Sequence, residues 1–344
     1  MKATATTPSN IAFTKYWGKK DEILRLPENG SISMCLSNLL TTTTVEFSDT
    51  YKKDEVILNS VHLAGDEVVA SSPPRWPNGL LAGGDSDRVI RHLDRIRKLV
   101  GINQKARVVS NNNFPSGTGL SSSASGFAAL TVAAAHAAGL KLSEKELSIL
   151  ARQGSGSACR SIPSGFVEWL DGNTSETSYA ESIFPANYWD ITDVVAVVSN
   201  QKKDVPTSVG QQTSGTSPFM ENRLSRMRQK NETIKALIKK RDFVKFGKLI
   251  EAEALELHAI MLTQKPALIY WLPTTVLLMK LVQKWRSEGL EVYFTINTGQ
   301  DVHLICQKKD VDTLVKLVQG VEEVKDVIIN SPGEGARTIE SHLF

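Results

Sequence analysis

Residues 115–126 read PSGTGLSSSASG, between the β-branched run ARVVSNNNF and the alanine-rich FAALTVAAAHAAGL. Side chains this small build no core, so the stretch constrains the chain through its backbone, as a loop joining a strand to a helix. The first turn of a helix leaves several N–H groups unpaired and carries the positive end of the peptide dipoles. A preceding loop without bulky side chains lets an anion such as phosphate reach those donors. Gly117 and Gly119 permit the close approach, while Ser121, Ser122 and Ser123 offer hydroxyls to phosphate or Mg²⁺. The same composition also suits a flexible surface connection. The spacing is neither GxxxxGK[ST] nor a GxGxxG with an acidic partner, which disfavours P-loop NTPases and dinucleotide-binding dehydrogenases.

Composition narrows the classes further. The 344 residues suffice for two domains, and 41% hydrophobic with 22% charged residues is typical of a soluble globular protein. With 40 basic against 37 acidic residues the formal charge is +3, too balanced for a dedicated nucleic-acid binder. No apolar run approaches the roughly 20 residues of a membrane span, and MKATATTPSN lacks the apolar segment of a secretory signal. Cys35, Cys159 and Cys306 are scattered with no CxxC pair, which fits a reducing cytoplasm and offers no zinc site. A soluble, cytoplasmic protein with neither membrane nor nucleic acid as partner is expected.

Along the chain, SISMCLSNLLTTTTVEF and DEVILNSVHLAG read as strands and PENG as a turn. DSDRVIRHLDRIRKLVG has helical period, with Val89, Leu93, Ile96 and Val100 on one face. KLSEKELSILARQG predicts a helix opened by Ser143 and closed by Gly154, and DVVAVVS an apolar strand. Residues 218–264 are helical in pattern, interrupted by Pro266 before the helical PTTVLLMKLVQKWRSEG. EVYFTINTG, VHLICQ and VKDVII predict strands, with VDTLVKLVQGV a helix between the last two. The chain thus divides near residue 185 into an α+β half, 1–185, and a helix-richer half, 186–344, as two α+β layers meeting at a cleft. RLSRMRQK (223–230) reads as a solvated basic helix face, and His258 and His303 as core histidines without metal-spaced partners.

PSGTGLSSSASG resembles the phosphate loop of the GHMP kinases, of the type P-x-x-x-G-L-x-S-S-A. PSNIAFTKYWGK (8–19), LPENGSIS (26–33) and GSGSACRSIPSGFVEW (154–169) resemble the signature blocks of diphosphomevalonate decarboxylases within that superfamily. Weaker matches follow in order: K-x-V-x-x-S-x-G near 203–210, TSPFM, LHAIML and YFTINTG. The resemblance spans nearly the whole chain. It implies the two-domain GHMP kinase fold, with ATP and substrate in the cleft between the domains. The implied activity is ATP-dependent phosphorylation of the tertiary 3-hydroxyl of a 5-phosphorylated mevalonate, followed by loss of phosphate and CO₂. ATP and Mg²⁺ are implied as cofactors, and a homodimer as the usual assembly.

Such a site must neutralise a triphosphate, a phosphorylated tail and a carboxylate together, which calls for cations, N–H donors and a metal. The resemblance assigns the ATP cradle to Pro115, Ser116, Gly117, Gly119, Ser121, Ser122 and Ser123, with Ser122 also on the metal. Tyr16 and Lys19 are implied at the phosphorylated tail, with Ser155, Gly156 and Ser157 forming a small anion-binding loop. Arg160 is implied to grip carboxylate or phosphate as a fork-shaped donor. Thr207 and Ser208 stand where the family places substrate contacts. The implied catalytic set is Lys15, Arg160 and residue 297.

The chain departs from the family at that last position. The catalytic aspartate of a D-A-G-P-N motif is matched by Asn297, followed by Thr298, Gly299, Gln300 and Asp301. An amide cannot take a proton as a carboxylate does. A weakened homologue, a relocated carboxylate at Asp301 and a deliberate substitution all remain open. The loop Ile162-Pro163-Ser164-Gly165 and Gln211 after Gly210 also differ, and Ser208 stands where many bacterial members have an arginine and eukaryotic members a small hydroxyl residue. The family as a whole favours a diphosphate tail, while these features favour one phosphate. A mevalonate-type kinase that stops before decarboxylation, and a binding homologue without turnover, are the competing readings.

Overall fold

The computed structural model describes residues 1–60 and 84–344; the expected strand continuation through VHLAG lies outside these residues. In chain order the first part comprises β1 (Lys2–Ala12), β2 (Lys19–Asp21), β3 (Leu26–Pro27), β4 (Ser31–Ser48), β5 (Glu55–Ser60), α1 (Asp85–Val100), β6 (Lys105–Asn112), α2 (Ser122–Ala137), α3 (Glu144–Gly154), β7 (Phe166–Trp169) and β8 (Ala180–Phe184). Then follow β9 (Ile191–Val197), α4 (Thr207–Gly210), α5 (Met220–Lys240), α6 (Phe243–Thr263), α7 (Pro273–Ser287), β10 (Val292–Thr295), β11 (Val302–Gln307), α8 (Val311–Gln319), β12 (Asp326–Asn330) and β13 (Arg337–Ile339).

The first sheet runs β13-β1-β4-β6-β5, with β7 on β4 and β8 on β7. SISMCLSNLLTTTTVEF forms the single strand β4. Its first residues pair with β7 and its last with β6, while β1 lies against most of its length. The β1–β4 register shifts between Pro8 and Asn10, a bulge-like irregularity in the ladder. The second sheet is β10-β11-β9-β12. β13 crosses back to pair with β1, so the end of the chain packs on the first sheet.

Local chemistry explains the helices that matter. Ser143 caps α3, accepting from the Glu146 N–H while the Glu146 carboxylate accepts from the Ser143 N–H. α1 buries Val89, Leu93 and Ile96, as its period predicts. α2 is buried on nearly every side because alanine lets it lie close against β1 and β4. Thr7 and Thr41 of those strands hydrogen-bond Ser125 in its first turn, at 2.7 and 2.6 Å. One hydrophobic core joins Phe13, Ile32 and Phe166 of the first layer to Trp189, Phe246 and Tyr293 of the second, so the two layers are tied by a shared core. No helix among the described residues is long and apolar enough to cross a membrane.

One expectation fails here. RLSRMRQK is not merely a solvated face: Arg223 is fully buried and paired with the fully buried Glu253 of α6, and Lys230 reaches the same carboxylate at 2.8 Å. Helical period places Arg223 and Lys230 seven residues apart on one side of α5, toward α6, and sequence gives no sign that two acidic residues wait there. Arg223 also donates to the Lys15 carbonyl at 2.8 Å, so the pair ties the α5–α6 hairpin to the end of β1.

Truncating one member of a buried ion pair leaves the other charge uncompensated, at about 3–5 kcal/mol. Arg223→Ala should therefore lower the free energy of unfolding by about that much, read from urea or thermal denaturation. A loss below about 1 kcal/mol, the range of an exposed pair, would mean that water reaches Glu253.

Candidate functional site

The glycine–serine loop bends sharply before α2. Gly117 and Gly119 adopt φ +83° and +127°, and Ser121 sits in the left-handed region at φ 58°. A side chain on Gly119 would lie 2.9 Å from the Gly299 Cα, and one on Gly299 would lie 2.3 Å from the Thr118 carbonyl. The Gln300 N–H donates to that Thr118 carbonyl at 3.1 Å. The loop of the first layer therefore presses backbone to backbone against the 297–301 turn of the second.

A cleft of about 360 Å³ opens beside this contact. Ser116, Gly117, Gly119 and Ser121 through Ser123 line it, together with Tyr16, Ser155 to Ser157, Thr207 and Ser208. Pro115 is buried behind the loop, and Lys15, Lys19, Arg160 and Asn297 are not on the cleft wall. The Ser122 hydroxyl accepts from the Gly117 N–H at 3.3 Å and keeps its own proton for donation. Among the described residues no group of three His, Cys, Asp or Glu side chains is placed to hold a metal ion. The donor set therefore suits a divalent cation that arrives on a polyphosphate and borrows the Ser122 oxygen.

Behind the cleft wall lies a dense cationic layer. Arg160 is buried, donating to Ser31 Oγ at 2.8 Å and to Asn10 Oδ1 at 3.2–3.3 Å. Lys15 Nζ donates to the Ala12 carbonyl, Thr295 Oγ1 and Asn297 Oδ1, at 2.5, 2.7 and 3.2 Å. Burial pushes the Lys15 ammonium down to about 7; Glu253 opposes this, and the Arg160 and Arg223 charges add to it. Since Lys15 and the Ala12 N–H fix its oxygen, Asn297 turns its amide N–H toward Ser121 Oγ, 3.0 Å away. His258 holds the Asn297 carbonyl at 3.0 Å, and His303 pairs with Asp193, so both histidines are structural.

Asp301 does not take over from Asn297. It is 2% exposed and accepts the Val198 N–H at 2.9 Å, linking the end of β9 to the turn and pointing away from Lys15 and Ser121. Burial raises its carboxyl to about 6. Tyr16 donates to Gln211 at 2.9 Å and packs on Trp169, while Lys19 is engaged by Glu22.

Four cleft cations, Arg25, Arg88, Lys202 and Lys203, escaped the reading of candidate residues. Lys203 donates to Thr207 Oγ1 at 2.7 Å and to the Thr298 carbonyl, and its ammonium is pushed down to about 7 by burial. Its signal was the K of K-x-V-x-x-S-x-G. Arg25 and Arg88 line the cleft near Tyr16. They stand in a hairpin and on the polar side of a helix, where period alone suggests solvent.

The family model for the diphosphomevalonate decarboxylase-like N-terminal domain matches residues 7–180, and that for the mevalonate 5-diphosphate decarboxylase C-terminal domain matches residues 193–338. The diphosphomevalonate decarboxylase of Candida albicans is 35% identical over 334 residues, covering 92% of this chain and 87% of that protein. That of Danio rerio is 36% identical over 331 residues, 92% of this chain and 78% of that protein. The solved mevalonate diphosphate decarboxylase of Enterococcus faecalis superposes with a TM-score of 0.86 at 33% identity over 99% of both chains. A complex of MDDEF with MVAPP, AMPPCP and magnesium gives 0.87 at 35% identity, again over 99% of both. With both domains matched and the fold shared end to end, the chain belongs to the diphosphomevalonate decarboxylase family.

Proposed function

We propose that the protein catalyses ATP-dependent decarboxylation of 5-diphosphomevalonate, as a carboxy-lyase of isoprenoid biosynthesis. The observation that carries this reading is the meeting of the serine loop, Lys203 and the Ser155–Ser157 loop in one cleft backed by Lys15 and Arg160. The polyphosphate of ATP lies on the N-terminal N–H groups of α2 and the Ser121–Ser123 hydroxyls, with Lys203 as counter-charge and Ser122 contributing to Mg²⁺. Magnesium, when bound, neutralises charge on the transferring phosphoryl group. Tyr16, Ser155, Gly156 and Ser157 hold the phosphorylated tail, and Arg160 with Lys15 supplies the field that balances the substrate carboxylate. A bond forms from O3 to the terminal phosphorus as that phosphorus parts from ADP, and the O3 proton passes to an oxygen of the transferring phosphoryl group. Phosphate then leaves with the C3–O3 electron pair, and the electrons of the bond to the carboxyl carbon form the alkene as CO₂ departs.

The preference for a one-phosphate tail, drawn from Ser208 and the 162–165 loop, finds no support among the relatives, which are named for the diphosphate. Asn297 is the feature that favours a weaker second reading. Held by Lys15 and donating to Ser121, it places an amide N–H where a proton acceptor is needed.

Two outcomes test the assignment. With ATP, Mg²⁺ and 5-diphosphomevalonate, CO₂ and ADP should appear in equal amounts, and 5-phosphomevalonate should be the poorer substrate; ADP without CO₂ would make the protein a kinase. Asn297→Asp should raise the rate by about 10²- to 10⁴-fold, the range of a general base, with substrate KM little changed because the side chains are nearly isosteric. A rate unchanged by the carboxylate would remove residue 297 from proton transfer.

The second prediction concerns pH. Lys203 is depressed from 10.5 to about 7, so in the free protein its ammonium is lost as pH rises through that value. KM for ATP should rise above about pH 7, and Lys203→Gln should raise KM at pH 6 and flatten the profile. A profile unaltered in the variant would exclude Lys203 as the counter-charge.

A further inference from the structure

Asp193 of β9 and His303 of β11 form a buried carboxylate–imidazole pair that bridges two strands of the second sheet. In the ladder Asp193 stands opposite Ile305 and His303 opposite Val195, both members of the core shared by the two layers. His303 Nδ1 lies 2.8 Å from Asp193 Oδ2 and carries the proton when it bonds an ionised carboxylate. His303 Nε2 and Asp193 Oδ1 have no hydrogen-bond partner among the described residues. Two apolar side chains of similar size would hold the strands together at less cost, because desolvation offsets most of the attraction within a buried polar pair.

What the pair adds beyond holding the sheet is its place one step from the reacting centre. On its other side His303 stands opposite Thr295 of β10, and side chains so paired lie about 4.5–5.5 Å apart at Cβ. Thr295 Oγ1 accepts from Lys15 Nζ at 2.7 Å, and the same ammonium donates to Asn297 at 3.2 Å. Arg160 from the 156–161 turn and Arg223 from α5 repel that ammonium, and His258 of α6 lies within its field. Glu253 of α6 attracts it, yet the Glu253 carboxylate already accepts from Arg223 and Lys230. Asp193 attracts it as well, and its one side-chain partner among the described residues is the imidazole of His303. Within an apolar core such a charge acts over several ångströms with little screening. Asp301, two residues before His303, feels the imidazole too.

We propose that Asp193 and His303 are positioning residues: a buried pair that holds the Lys15 ammonium charged and, across Thr295, aimed at residue 297. The imidazole fixes the carboxylate toward β11 and the carboxylate supplies the field, while no proton changes hands. The proposal rests on the reading of Lys15 as part of the field that balances the substrate carboxylate.

The test uses the full chain with isotopically labelled lysine, the Lys15 resonance being assigned by its loss in Lys15→Met. In the free protein this resonance should titrate near pH 7. In Asp193→Asn it should titrate at lower pH, because the two arginines then meet less opposition. His303→Leu should act in the same direction, since a carboxylate left without its donor in an apolar core favours the neutral form. His303→Asn places an amide N–H near the former Nδ1–H and should restore most of the titration. With ATP, Mg²⁺ and 5-diphosphomevalonate, kcat of Asp193→Asn should fall about 10- to 100-fold above neutral pH and less below it, with KM for ATP within about twofold. Unfolding temperature reports the fold of each variant. A pair that only holds the sheet would lower that temperature and leave the Lys15 titration where it was, and this result overturns the proposal. A shifted Lys15 titration in a protein that consumes no mevalonate derivative upholds the pair and sinks the substrate reading alone.

Discussion

Glu253 is the pivot of the molecule. Its carboxylate is buried in α6 and accepts from Arg223, Lys230 and the Lys15 backbone N–H, while Arg223 returns to the Lys15 carbonyl. Both backbone polar groups of Lys15, three residues beyond β1, are thereby fixed by a buried pair from the second layer. Ion pairs of this kind add little net stability, because desolvation of both charges offsets most of their attraction. They specify geometry instead, since a half-made pair is so costly. Everything downstream depends on where that backbone lies. Lys15 points its ammonium at Asn297, Tyr16 enters the cleft, and Lys19 begins the hairpin that carries Arg25.

The cleft is built by two contacts across the layers. Glu253 and Arg223 hold one side, and the backbone contact of Gly119 with Gly299 holds the other. Only glycine fits at either partner of the second contact. The loop that leads into α2 is thus positioned by the turn that carries Asn297, and under the proposed function this contact would couple nucleotide position to the reacting centre. Cations then fill the space in depth: Lys203 and Arg88 on the wall, Lys15 and Arg160 behind it. Several of them sit below their ordinary pKa because burial is not offset by carboxylates. A ligand carrying several negative charges supplies the missing balance.

Asn297 changes what this arrangement can do with a proton. A carboxylate there would accept from Lys15 and Ser121 alike. The amide accepts from Lys15 and donates to Ser121, so the serine hydroxyl is left to donate toward the cleft. Under the proposed function the anion-binding groups are all present, and the position proposed to accept a proton differs from a carboxylate at a single atom type.

The sequence by itself determined the local elements and the motifs. Ser143 with Glu146 marks a helix start, alanine repetition makes α2 thin enough to lie on the sheet, and glycine with serine before it leaves the helix N-terminus open. These are interactions over a few residues, and the blocks around residues 8–33, 115–126 and 154–169 carry them in their order. Tertiary structure alone decided which charges are spent and which are free. Arg223 and Arg88 both stand on helices among other basic residues, yet one is buried against Glu253 and the other lines the cleft with a nitrogen that has no partner among the described residues. Asp301 and Asn297 are four residues apart, and only the crossing of β9 with the 297–301 turn turns the carboxylate inward to Val198. Period and composition record that a residue is charged; its partner comes from a segment tens to hundreds of residues away, fixed by packing that no local pattern encodes.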